Sequence, residues 1–210
     1  MLESLDVNQQ IAVISAAAAL FGSVIGAVAT LLATWMSRKM QTNGELTLHL
    51  KMVYTKGGTN EPWGFYRSQL KSGLYMQVPL WIDICNTSGI SRIVRNINLY
   101  AYKDKNEVAS FTQIQRIGDG ESKIAFGDNE SYTLVIPANS ARRFNLDFML
   151  RESDIPTEDK DFDELILTYF DEKDKIHAFH LVDMNQCWVE GSLQSKKEWI
   201  TLDRRCSYAR

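Results

Sequence analysis

Few side chains in this chain have both the type and the spacing to do chemistry, and each pattern is incomplete. Ser68-Gln69-Leu70-Lys71 spells S-x-x-K, in which a lysine could draw the proton from an attacking serine. The chain contains no G-x-S-x-G, no phosphate-binding P-loop and no G-x-G-x-x-G. Cys85, Cys187 and Cys206 are widely spaced and lack any C-x-x-C. A thiolate at Cys85 or Cys187 would need a histidine brought beside it by the fold, and no sequence signal does so. These thiols are expected to be reduced and structural, without disulfides. His177 and His180 are three apart, so on a strand they face opposite ways and cannot share a metal, while His49 belongs to another segment. No metal or other cofactor is expected. Asp159, Asp161 and Asp163 open like a calcium loop, yet its sixth and twelfth positions hold Glu164 and Phe170 instead of Gly and Glu. A solvated acidic loop is expected there.

The basic residues make the remaining candidate. Arg142-Arg143 and Arg204-Arg205 form pairs, joined by Arg92 and Arg95, and residues 192–210 carry five bases against two acids. With Trp63, Phe65, Tyr66 and Trp199 these six arginines could line a site for a nucleotide, another anionic ligand or an anionic lipid surface. The net charge of −3 gives no general basic character, which excludes a binder of duplex nucleic acid.

The element that must position all of this is a membrane anchor. Ile11 to Met36 holds 26 residues without a charge, and as a helix it would reach ~39 Å, against a hydrocarbon core of ~30 Å. Glu3 and Asp6 precede it and Arg38 and Lys39 follow it. By the positive-inside rule the C-terminal part faces the cytoplasm and residues 1–10 lie outside. A cleavable signal peptide would need a basic start and a shorter apolar run. The expected place is therefore the inner (cytoplasmic) membrane, crossed once. Along the helix Ala18, Gly22, Gly26 and Thr30 repeat every four residues, beside Ser15, Ala19, Ser23 and Ala27. Small residues at that spacing let two helices approach closely in lipid, which predicts a homo-oligomer.

Residues 37–44 read as a juxtamembrane linker ending in Asn43-Gly44. Residues 45–210 read as one β domain. Alternation predicts strands over Glu45–Tyr54, Leu74–Asn86, Arg92–Tyr102, Glu107–Arg116, Tyr132–Ile136, Arg142–Leu150, Leu165–Phe170 and Ile176–Val182. Another short strand is expected between the Gly118 and Gly127 turns. Pro79 cannot donate to a ladder, so its strand should have an edge or a bulge at that point. Lys56–Gly73 reads as loop, with a further strand near Cys187–Val189 and a short element near Glu198–Leu202. The fold class is a single N-terminal transmembrane helix plus a mainly-β domain, an antiparallel β-sandwich or barrel. The stretch from Val78 to Leu150 resembles an immunoglobulin-type sandwich in architecture alone.

These features predict a membrane-anchored, non-enzymatic sensor, effector or scaffold subunit that binds a ligand or a protein partner. The competing class is a small tethered hydrolase using Ser68 and Lys71 or a cysteine. In layout the chain resembles small prokaryotic defence effectors. That resemblance implies a soluble domain sensing a nucleotide signal and a membrane part disrupting the bilayer.

Overall fold

A computed structural model describes residues 6–52, 62–67, 73–117, 123–126, 132–156, 158–193 and 198–208. The chain divides into two compact units, the helix up to Asn43 and the domain from Gly44 onward.

Helix α1 (Val7–Thr42) starts at Asp6, whose carboxylate caps it while the Gln9 side chain reaches back to the Asp6 amide. It runs to Thr42 and is capped by Asn43, at the Asn43-Gly44 stop read from the sequence. None of its residues is buried, and it is long and apolar enough to cross a membrane. Several of its hydroxyls are spent internally: Ser23 donates to the Leu20 carbonyl, Thr30 to Gly26 and Thr34 to Thr30, each at 2.8 Å. An apolar surround therefore meets no unpaired donor along these turns.

The second unit is two antiparallel sheets packed face to face. The first is built on β3 (Leu74–Asn86) and β9 (Ser140–Arg151), paired along twelve residues from Tyr75–Arg151 to Asn86–Ser140. On its other side β3 is shared. β2 (Gly64–Arg67) takes its first half, up to Gln77, and β1 (Leu46–Met52) takes its second half, from Leu80. Among the described residues Pro79 has no partner on this side, so its missing N–H breaks no described ladder.

The second sheet repeats the device on β4 (Arg92–Lys103). β10 (Glu164–Phe170) runs along one side, and β8 (Tyr132–Ile136) and β5 (Asn106–Ser110) divide the other. β11 (Ile176–Asp183) forms the outer strand beyond β10. Alternation buries Leu48 and Leu50, Val78 to Ile84 at every second residue, Leu99, Phe148, Leu165 and Leu167 in one core between the sheets.

Three expectations need correction. The strand foreseen over Glu107–Arg116 is two strands, β5 and β6 (Thr112–Ile117), broken at buried Phe111. β5 pairs with β4 and β6 with β9, so the chain changes sheet there. Within the expected loop over Lys56–Gly73 lies β2, because the Trp63 and Phe65 side chains are core residues at 5% and 1% exposure. No strand forms at Cys187–Val189, where Trp188 has φ +56. The extended pair comes later, as β12 (Gly191–Ser192) on β2. This contact is close enough that a Cβ on Gly64 would stand 2.4 Å from the Gly191 carbonyl oxygen. The short strand between the glycine turns is β7 (Lys123–Phe126), paired with β6.

Each flank of the sandwich has its own closure. On one flank, buried Tyr132 accepts from the Asp147 amide at 2.9 Å and donates to the Ile114 carbonyl at 2.5 Å, tying β8 to the other sheet. Burial pushes its phenol up to about 12. On the other flank, β13 (Ile200–Thr201) pairs with β1, and the next residues cross to β11. There the His180 amide donates to the Arg204 carbonyl and the Cys206 amide donates to the Ala178 carbonyl. Residues 199–208 thus form a strap from one sheet to the other.

Candidate functional site

Beneath that strap the two sheets leave a cleft of about 430 Å³. Its inner wall is the end of the β10–β11 hairpin. Tyr169 lies directly across from His177, and their rings stack at 4.8 Å and 13°. Phe179 flanks Tyr169 from the other side at 6.1 Å and 12°. The mouth is formed by Glu45 from the start of β1 and by Asp203 and Arg205 from the strap, with Arg92 entering from β4.

Polar groups deep in the cleft are largely spent on one another. One Asp171 oxygen accepts the Lys173 and Lys175 amides at 2.8 and 3.0 Å, and the other faces His177 Nε2 at 2.9 Å. Burial raises the Asp171 carboxyl, but these hydrogen bonds outweigh it and hold the group below the usual carboxylate range. Arg92 is paired with Glu172. Burial pushes the Tyr169 phenol up to about 12, with Arg205 pulling the other way, so at neutral pH it is a donor. Among the described residues the side chains of Glu45, Asp203 and Arg205 have no ion-pair partner.

The six arginines singled out in the sequence do not gather. Arg92 and Arg205 line the cleft, Arg95 pairs with Asp174 in the hairpin turn, and exposed Arg204 is not part of the lining. Arg142 and Arg143 point to opposite faces of β9, as strand alternation requires. Arg142 follows the core-facing register of Phe144 and Leu146, and Arg143 stands on the outer face opposite Asp83. Trp63 and Phe65 are core residues, and Tyr66 donates to the Pro62 carbonyl at 2.6 Å. Ser68 and Lys71 lie outside the described residues, as do Lys196, Lys197 and Arg210.

Arg143 instead docks the strap. It binds Asp83 through two bonds of 2.6 and 2.7 Å, and its guanidinium lies 4.8 Å from the Trp199 ring and 5.6 Å from Trp81. The Arg143 bond holds the Asp83 carboxyl below its ordinary 3.8. Because the folded value is the lower one, the clamp contributes fully above 3.8 and is lost as pH falls through the folded value. Arg143→Ala should leave the unfolding temperature close to that of the parent, since exposed pairs contribute little. It should nevertheless speed hydrogen exchange of the Leu202 amide, which donates to the Leu48 carbonyl. Unchanged exchange at Leu202 would mean that the strap is held by its backbone pairing alone.

The thiols and remaining histidines do not assemble a reaction centre among the described residues. Cys187 donates to the Phe162 carbonyl at 3.0 Å, and burial raises its pKa, which lowers its thiolate fraction. Burial raises Cys206 as well, and Cys85 is unpaired on the outer face of β3. His180 faces Asp183 and His49 faces Thr201, so the three histidines serve three separate places. No group of three His, Cys, Asp or Glu side chains is set to hold a metal among the described residues. Asp159 pairs with Lys103, and Asp163 accepts the Asp104 amide, so two acids of the 159–163 loop tie it to the β4–β5 turn.

The sequence reading found Arg92 and Arg205 but missed the Tyr169, His177 and Phe179 wall. The signal was available. A hairpin closed over Asp171–Lys175 pairs Phe170 with Ile176 and therefore Tyr169 with His177, on the face that also carries Leu165 and Leu167. No family model matches the chain, and comparison with curated proteins finds no match.

Proposed function

We propose that this chain is a membrane-anchored, non-enzymatic sensor or effector subunit. In this proposal α1 spans the inner membrane once, and the β-sandwich on its cytoplasmic side binds a ligand in the cleft beneath the strap. The observation that carries the reading is the cleft itself. It combines an aromatic wall, a neutral phenol and charged groups at the mouth, which suits recognition. The raised Cys187 and Cys206 thiols and the separately engaged histidines support binding over covalent catalysis. Arg38 and Lys39 after the apolar run, with no Lys or Arg before it, support the orientation.

The second half of the proposal is self-association through α1. A Cβ at Gly22 or Gly26 would meet nothing within 4 Å in a single chain. The double substitution Gly22→Leu/Gly26→Leu therefore leaves the monomer undisturbed and adds bulk only where another helix would approach. The variant is expected to insert normally and to lose at least tenfold of the crosslinked oligomer seen in membranes. An oligomer of undiminished yield would make α1 a simple anchor. A reporter fused after Arg210 is expected to be active only in the cytoplasm, and activity outside would overturn the orientation.

A further inference from the structure

We infer that the cleft beneath the strap takes a small zwitterion, a compact molecule carrying both a protonated amine and a carboxylate. The inference rests on the ligand-binding reading above and specifies its chemistry. At about 430 Å³ the cleft has the size of a small-molecule site. The charge inventory then decides what fits. Arg92 is neutralised by Glu172, and Asp171 is consumed by two turn amides and His177.

What is left to meet a ligand is one guanidinium, Arg205, the neutral phenol of Tyr169, and two carboxylates, Glu45 and Asp203. Arg205 and Tyr169 together offer donors to one anionic group, and Arg205 lies close enough to act on the Tyr169 phenol. Asp203 stands two residues before Arg205 on the strap, and Glu45, just before β1, lines the same space. These two carboxylates suit an ammonium. A polyphosphate would bring several negative charges against both carboxylates with a single unspent cation to offset them. A simple diamine leaves Arg205 opposed, and a simple dianion leaves Glu45 and Asp203 opposed. Leu46, Phe179 and Leu202 supply apolar wall for the body that joins the two ends.

The test uses the full chain in mild detergent, with thermal shift and calorimetry against the twenty free amino acids, putrescine, succinate, inorganic phosphate and ATP. At least one amino acid is expected to stabilise the protein, with putrescine and succinate at least tenfold weaker. Arg205→Gln and Asp203→Asn alter exposed side chains and should keep the fold, and each is expected to weaken that amino acid at least tenfold. No response to any amino acid overturns the zwitterion. Binding of ATP or phosphate that Arg205→Gln abolishes also overturns it while leaving the cleft as the site. An amino acid that binds both variants as tightly as the parent overturns the zwitterion and the cleft together.

Discussion

Asn86→Ala is expected to lose about 3 kcal/mol of folding stability, a large share of the ~5–15 kcal/mol typical of a domain. Asn86 is 2% exposed and satisfies five groups at once. Its two amide N–H groups are shared among the carbonyls of Ile90, Ile136 and Pro137, at 2.8, 3.2 and 2.9 Å. Its oxygen accepts the Ser88 amide and hydroxyl at 3.0 and 2.6 Å. Alanine strands these partners, each at ~1–3 kcal/mol if it stays dry, and partial rewetting brings the sum down. The effect should reach the cleft, because Asn86 is in register with Leu46 and the next residue, Thr87, exchanges hydrogen bonds with Glu45. Asn86→Asp is the sharper control. It keeps the acceptors but turns a carboxylate toward three carbonyls, so it should be at least as damaging as alanine. Denaturant unfolding of the full chain in mild detergent reads both. A loss below ~1 kcal/mol for alanine would show that water replaces the side chain at little cost.

Phe65→Ala is expected to cost ~3–5 kcal/mol, the range for deleting a buried aromatic ring. Phe65 is 1% exposed and sits edge-on to Trp188 at 5.2 Å and 60°, with Phe162 at 6.5 Å. Phe162 and Trp188 meet at 6.0 Å and 82°. The three rings come from β2, from the segment before β10 and from the segment after β11, so they join parts of the chain that are far apart in sequence. Trp188 has little freedom to refill the void, because its indole N–H donates to the Lys160 carbonyl at 2.8 Å. Phe65→Leu should retain most of the stability, since it keeps much of the volume. An alanine variant within ~1 kcal/mol of the parent would mean that the cluster collapses freely into the space.

The long strands were legible because their apolar residues fall mostly at every second position, even in β4, where the register slips between Val94 and Ile97. β3 and β8 have the bounds their patterns predict, Leu74–Asn86 and Tyr132–Ile136. The break at Phe111 was not legible. Neither Gly nor Pro marks it, and alternation continues on both sides while the chain changes sheet. β12 and β13 have two residues each, too few for a period, and exist because β2 and β1 offer them an edge. The cleft was hidden for a different reason. Its walls come from Glu45, Arg92, the 169–179 hairpin and the strap, and only tertiary closure brings these together. The arginines stood out by charge, yet charge alone could not reveal that Arg92, Arg95 and Arg143 each face a carboxylate.

The strap also sets a schedule for synthesis. β1 is made before every other described strand of its sheet, while β13, which covers its outer edge, is made after all of them. His49 and Thr201, partners across that edge, are 152 positions apart. At ~5–20 residues per second, roughly eight to thirty seconds separate their emergence from the ribosome. Throughout that interval the edge of β1 has no partner from its own strap, and an unpaired edge is a template for any neighbouring chain. Under the proposed insertion of α1 in the bilayer, those neighbours would be other nascent copies held in the same plane. Edge closure therefore waits on residues 200–201, and any truncation upstream of Ile200 leaves β1 with an open edge.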